Sequence, residues 1–114
     1  MGKGTNSGTI RTTGGIPLPI YIALLKWTPQ GLQSIKESPS RLDAARKSFE
    51  SAGVKMKDFY MLTGRYDMVA ICEAPDEGSV ARALLSVTSK GSITSETCRA
   101  FTEQEYREII GGLA

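Results

Sequence analysis

The sequence predicts an α+β domain built on one four-stranded antiparallel sheet, with two long helices on one face and a short helix at the C-terminus. Apolar runs with strand character and stretches of helical periodicity follow each other in the order β-α-β-β-α-β. Residues that favour turns or helix caps separate these segments. A chain of 114 residues with 40% hydrophobic content is large enough for one hydrophobic core but not for two.

The first predicted strand is Ile20–Trp27, a short apolar run rich in β-forming residues. Thr28 follows as an N-cap, with Pro29 at the first helical position. The helix that begins here is expected to be interrupted near Ser38, to resume, and to stop at Gly53. Its apolar residues recur at helical spacing, at Leu42, Ala45, Phe49 and Ala52.

The remaining segments follow with short connections. Three further strands are expected, at residues 54–63, 67–74 and 93–101. The first two of these form a hairpin with a tight reversal that contains Gly64, which we interpret as a structural turn residue. Asp76 is the predicted N-cap of a second long helix, and Thr102 with Glu105 fits a capping box that opens the terminal helix.

This order of elements is the split β-α-β, or ferredoxin-like, arrangement. Right-handed crossovers then place the strands in the order fourth, first, third, second, with both long helices on one face. The domain is expected to span residues 20–114. Residues 1–19, rich in Gly and Thr, are interpreted as a flexible tail. They contain no signal-peptide core, and no segment approaches the ~18 apolar residues of a membrane span, so we expect a cytoplasmic protein without a membrane partner.

Both faces of the predicted central strands are apolar. Ile20, Ile22 and Leu24 point to one face of the first strand, while Tyr21, Ala23 and Leu25 point to the other. An uncovered apolar face of this extent is unusual for a soluble monomer. We therefore expect a homodimer or higher oligomer in which a second copy covers the face, and the alternative is that the terminal helix folds back over it.

The charge balance argues against a nucleic-acid partner. The formal net charge is +2, and Lys3 and Arg11 lie in a tail without acidic residues, which leaves 12 basic and 12 acidic residues in the domain. Non-specific binding of nucleic acids requires clustered Lys and Arg. A neutral domain also lacks the self-repulsion that keeps copies of a protein apart.

The stretch from Gly64 to Asp67, followed by MVAICEAPD, resembles the characteristic region of the GYD-domain family. Arg65 separates the glycine from Tyr66, so the motif here has the form G-x-Y-D. Two further stretches, YIALLKWTPQGLQSIKESPSR and ETCRAFTEQEY, are also similar to that family, and the resemblance covers about residues 20–110. It implies a dimeric α+β barrel in which two ferredoxin-like sheets pack face to face, and it implies no defined biochemical role.

A candidate site follows from the strand order. Because the first and third strands are antiparallel neighbours, Lys26 and Trp27 are expected to lie near Tyr66 and Asp67, beside the helix that begins at Thr28. These four residues could bind a small polar or anionic ligand, with Lys26 and helix amides holding the anion and the aromatic rings stacking on it. In an enzyme, Asp67 could act as a general base or Tyr66 as a proton donor. The structural alternative is that Asp67 pairs with Lys26 or caps turn amides while the rings pack in the core.

Other chemistry has little support in the sequence. The chain has no histidine, which excludes the common histidine-dependent nucleophile systems and most catalytic zinc sites, and it has no glycine-rich phosphate loop. We predict no metal and no cofactor. Cys72 and Cys98 are expected on strands about 9 to 10 Å apart, beyond the ~7 Å limit for a disulfide, and are interpreted as small buried hydrophobes. Arg99 is expected to pair with Glu73 or Glu96, or to point between the sheets.

Three classes of function remain open. The favoured hypothesis is a homo-oligomer that binds a small molecule between its sheets or at the hairpin edge, because the polar cluster is more concentrated than a turn requires. The second is a cofactor-independent enzyme of isomerase or monooxygenase type, and whether the protein is an enzyme stays open. The third is an assembly or interaction protein without a ligand.

Overall fold

The structure, a computed structural model, describes residues 12, 13 and 16–114. The strands are β1 (Thr12–Thr13), β2 (Ile16–Pro17), β3 (Ile20–Trp27), β4 (Lys55–Met61), β5 (Met68–Glu73) and β6 (Ile93–Ala100). The α-helices are α1 (Pro29–Gln33), α2 (Ser38–Ser51), α3 (Glu77–Thr88) and α4 (Glu103–Gly111), with a 3-10 turn at Ile35–Glu37. The predicted tail, residues 1–19, falls largely outside the described residues. Within it, β1 and β2 pair with each other, and its flexibility stays a prediction.

The main sheet confirms the predicted topology. Its four strands are antiparallel in the order β4-β5-β3-β6, which is the expected ferredoxin-like order. The hairpin differs in detail, because the connection runs through residues 62–67 and is wider than the predicted tight reversal. The backbone N–H of Leu62 donates to the carbonyl of Asp67 at 2.8 Å and closes this connection.

The hydrophobic core lies between the sheet and the two long helices. Tyr21, Ala23 and Leu25 of β3 are buried on this face, together with residues of β5 and the inward sides of α2 and α3. Phe49 and Leu84 are buried on α2 and α3 respectively and belong to the same cluster. Both long helices therefore pack on one face, as the sequence predicts.

The opposite face of the sheet carries the other set of apolar side chains. Ile20, Ile22 and Leu24 alternate with the core residues of β3 and are only half-buried, as are Val69 and Ile71 on β5. Helix α4 does not seal this face, because it contains no buried residue. Its apolar side chains stay exposed, at 57% for Tyr106, 49% for Ile109 and 50% for Ile110, and so does Leu113 just beyond its end, at 70%.

The predicted helix caps are all present. Thr28, Asp76 and Thr102 each accept a backbone N–H in the first turn of a helix, and Thr102 forms the reciprocal capping box with Glu105. Thr28 does more than cap α1, since its N–H donates to the carbonyl of Ser92 at 3.0 Å and its hydroxyl donates to the carbonyl of Gly91. The start of α1 is thereby fixed to the connection between α3 and β6. No helix among the described residues is long and apolar enough to cross a membrane.

Candidate functional site

Asp67 and Trp27 are brought together, as the strand order predicts. The Asp67 carboxylate accepts the backbone N–H of Trp27 at 2.9 Å, and the Asp67 N–H donates to the carbonyl of Leu25 at 2.8 Å. The two bonds extend the β3–β5 ladder one residue beyond its last regular pair, Leu25 and Met68. The contact favours the structural interpretation of Asp67, with the Trp27 amide as its partner instead of the Lys26 ammonium or turn amides.

Tyr66 belongs to a second group on the helix-free face of the sheet. Its hydroxyl donates to Glu96 at 2.6 Å, and the Arg65 guanidinium lies 5.7 Å from the centre of its ring. Lys26 is exposed and shares this face, because it lies two residues from Leu24, the register partner of Glu96. The hydrogen bond to Glu96 raises the pKa of Tyr66 above its usual range.

The predicted four-residue cluster is therefore divided between two faces. The Trp27 indole donates to the Ser38 hydroxyl of α2 at 3.2 Å and so lies on the helix side, while Lys26 and Tyr66 lie on the open side. The Gly31 N–H, in the first turn of α1, was expected to be available to an anion, but it already donates to the Thr28 hydroxyl at 3.1 Å. A single pocket lined by both aromatic rings is not formed by these residues.

Gly64 lies in the bend between β4 and β5 but is not required there by its backbone. Its φ is outside the left-handed region, which among the described glycines is occupied by Gly53 and Gly91. A Cβ atom at Gly64 would have no heavy atom within 4 Å. Gly64 thus lies in the connection as predicted, but neither its φ nor the space around it excludes a side chain.

Asp67→Ala is expected to destabilise the fold by about 1 to 2 kcal/mol, because the Trp27 N–H loses its acceptor. Asp67→Asn keeps an oxygen at this position and is expected to lose less than half as much. Urea unfolding of the three proteins measures the difference. Equal losses in both variants would show that the negative charge, not the hydrogen bond, is the important property of Asp67.

The two cysteines lie on opposite faces of the sheet, and both thiols are free. Cys72 pairs with Tyr21 in the register and is buried, whereas Cys98 pairs with Ile22 and is exposed. The prediction that both are buried is therefore wrong for Cys98. Residues on an edge strand have a neighbour on one side only, and the helices do not cover this face.

Burial raises the pKa of the Cys72 thiol to about 11. At pH 8 only about one Cys72 in a thousand is then a thiolate, which is the reactive form. We expect a thiol reagent to modify Cys98 in dilute native protein and Cys72 only after unfolding. Mass spectrometry of the labelled peptides checks this order, and early labelling of Cys72 would contradict it.

Arg99 does not pair with Glu73 or Glu96 as predicted. It lies opposite Tyr21 on the helix-side face of the sheet. Its side chain therefore does not point into the space in front of the open face, which was the predicted alternative. Its guanidinium is 3.6 Å from the Glu105 carboxylate and 4.4 Å from the centre of the Phe101 ring. The residue thus fixes the start of α4 to the end of β6.

A cavity of about 110 Å³ lies between the sheet and helices α2 and α3, and sequence reasoning did not find it. Leu25, Met68 and Ala70 line it from the sheet, while Phe49 and Leu84 are among the helix residues that line it. The sequence shows these residues only as core positions. Neither Trp27 nor Tyr66 lines the cavity, but Ser38, the hydrogen-bond partner of the Trp27 indole, does.

Comparisons with known proteins place the chain in a family. A family model described as GYD domain matches residues 21–110, which extend from β3 into α4. A protein of Thermus thermophilus, named "Glutamine synthetase and cystathionine beta-lyase binding protein", is 33% identical over 84 residues. The similar region covers 73% of this chain and 88% of that protein. These matches confirm the resemblance, and the chain belongs to the GYD-domain family.

Proposed function

We propose that this protein is a homo-oligomeric interaction module that binds another protein. The observation that carries the proposal is the apolar, helix-free face of the sheet, whose apolar side chains on β3 and β5 are only half-buried. The similarity to a Thermus protein named for binding two enzymes supports the protein-binding part. This is the third of the three classes that the sequence left open, and the comparison favours it over the first.

The open face is suited to a second copy of itself. Its centre is formed by Ile22 of β3 and Ile71 of β5, which are register partners. Charged side chains surround this centre, with Lys26 and Glu96 towards one end of β3, Glu73 opposite Ile20 at the other end, and Asp58 opposite Ile71 on β4. Two such faces can meet around a two-fold axis, because each copy then offers the same apolar centre. The neutral charge of the domain removes long-range repulsion between the copies.

Helix α4 is the surface that we propose for a partner protein. Large hydrophobic residues exposed by 37% or more number ten among the described residues, and five of them lie in one short segment at the C-terminus. These are Phe101, Tyr106, Ile109, Ile110 and Leu113. An amphipathic helix with an apolar stripe at this spacing is a common recognition element for a hydrophobic groove.

The identity of the partner is tested by measuring binding to purified glutamine synthetase and cystathionine β-lyase from the organism that this chain comes from. Biolayer interferometry is expected to detect binding of at least one enzyme by the wild type, and a loss of about tenfold or more in Ile109→Glu. Leu85→Glu is the matched control, because Leu85 is 65% exposed on α3, outside the stripe. Failure of both enzymes to bind contradicts this part of the proposal. Equal losses in both variants contradict the assignment to α4.

A small polar or anionic ligand at the open end of the sheet is the second candidate function. The observation that favours it is the group of Lys26, Tyr66 and Glu96, which a second sheet would partly enclose. Native mass spectrometry of undenatured protein would show a retained small molecule in the wild type and its loss in Lys26→Gln or Tyr66→Phe. An oligomer that retains no small molecule would contradict ligand binding, and protein interaction would then be the one proposed function that remains.

A further inference from the structure

The cavity between the sheet and the long helices has two chemically different parts. Its inner wall is formed by buried apolar side chains, including Phe49 of α2 and Leu84 of α3. Its outer wall carries polar groups at more accessible positions, Ser38, Arg41, Lys90 and Ser92. The cavity is therefore apolar at its base and cationic near the surface.

The size of the cavity limits what it can hold. Its volume of about 110 Å³ is somewhat smaller than an engineered apolar cavity of ~150 Å³ that takes up benzene. By proportion with the six carbons of benzene in that larger cavity, about four carbon atoms fill this one. An apolar chain regains dispersion contacts there that water cannot replace, because the inner wall offers water few hydrogen-bond partners.

Arg41 and Lys90 are the charged groups of the outer wall. Arg41 donates from Nη1 to the carbonyl and the hydroxyl of Ser34 at 3.0 and 3.1 Å, and from Nη2 to the carbonyl of Gly31 at 3.3 Å. All of these acceptors are neutral. Lys90 is exposed, and no carboxylate forms an ion pair with either cation among the described residues. The bonds to α1 also hold the Arg41 side chain in place, which lowers the entropy cost of binding an anion.

We propose that this cavity binds a small monoanion with an unbranched apolar tail of about four carbons. The tail lies between α2, α3 and the sheet, and the carboxylate or an equivalent anion lies at Arg41 and Lys90. The site is separate from the open face and from helix α4, so the proposal is independent of partner binding.

Pentanoate, 1-pentanol, pentylamine and acetate are the probes. Isothermal titration calorimetry is expected to show saturable binding of pentanoate with a dissociation constant on the order of 1 mM. The alcohol, the amine and acetate are each expected to bind about tenfold more weakly or worse, since they lack either the anion or the tail. Trp27 is the single tryptophan and is bonded to Ser38 of the cavity wall, so its fluorescence reports binding at this place.

Two variants test the position of the ligand. Ala45→Leu fills the cavity and is expected to weaken pentanoate binding by about tenfold or more, whereas the same change at Ala81, exposed on α3, is expected to have no effect. Lys90→Gln is expected to weaken pentanoate by about threefold without changing pentanol, with Lys47→Gln as its control. Lys90 is exposed, so this variant keeps the test valid even if Ala45→Leu does not fold.

Four results would overturn the proposal. They are no saturable binding of pentanoate by the wild type, binding of pentanol as tight as that of pentanoate, unchanged binding of pentanoate in a folded Ala45→Leu, and unchanged binding of pentanoate in Lys90→Gln. Circular dichroism of each variant establishes that it is folded.

Discussion

Ile22→Lys is expected to convert the proposed oligomer into a monomer without unfolding it. Ile22 lies at the centre of the open face, between Ile71 on one side and Cys98 on the other. In a face-to-face dimer the substitution places two ammonium groups in an apolar interface without partners, one from each copy. We expect the dissociation constant to rise by about a hundredfold or more, which corresponds to ~3 kcal/mol.

Ile22→Lys is expected to lower the unfolding free energy of the isolated domain much less than it lowers the free energy of association. Ile22 is only half-buried in the single chain, so a lysine there can reach water, and the loss is expected to be about 1 kcal/mol. Sedimentation velocity measures the mass, with Leu85→Lys on α3 as the control that should retain the wild-type mass. A monomeric wild type, or an oligomeric Ile22→Lys, would contradict association through this face.

Cys98 provides an independent measure of the same association. Because it lies beside Ile22 on the open face, a second copy would shield its thiol. The rate at which Cys98 is labelled is then expected to fall as the wild-type concentration rises. In Ile22→Lys the rate should not depend on concentration.

Gly31→Ala is expected to destabilise the fold by about 2 to 4 kcal/mol, although alanine favours helices over glycine by ~1 kcal/mol. A Cβ atom at Gly31 would lie 2.1 Å from the carbonyl oxygen of Ser92, a distance that no non-bonded carbon and oxygen can occupy. Relief requires α1 to move away from the connection between α3 and β6. That movement breaks the bond from the Thr28 N–H to Ser92 and disturbs the bond from Arg41 to the Gly31 carbonyl.

Gly111→Ala is the matched control, because it is also a glycine in a helix but a Cβ atom there meets nothing within 4 Å. Its unfolding free energy is expected to stay within about 0.5 kcal/mol of the wild type. Urea unfolding compares the three proteins at constant pH. A Gly31→Ala variant as stable as Gly111→Ala would show that α1 can move away from Ser92 at little cost.

Local signals predicted most of the secondary structure. Thr28, Asp76 and Thr102 were recognisable as caps because a cap depends on residues within one turn of the chain. The apolar run Ile20–Trp27, rich in β-forming residues, was sufficient to place the strand at its observed ends. The order of the four strands followed from the handedness of the crossovers and not from any individual contact.

The candidate site was predicted less completely. Antiparallel pairing correctly placed Asp67 near Trp27, but it could not show which atoms bond or that the Trp27 and Tyr66 side chains take opposite faces. Arg99 was assigned the wrong partner, because Glu105 comes near it only through the direction in which α4 leaves β6. Cys98 was assigned to the core because its strand was read without regard to its position at the edge of the sheet.

The sequence by itself determined the elements, their order, the two-sided apolar character of β3 and the neutral charge of the domain. These properties depend on periodicity, composition and neighbouring residues. Only the tertiary structure decided which face stays open, where α4 lies, how closely Gly31 approaches Ser92 and where the packing leaves a cavity. Each of these depends on contacts between residues distant in the chain, and small differences in side-chain volume or direction, which no periodicity records, determine them.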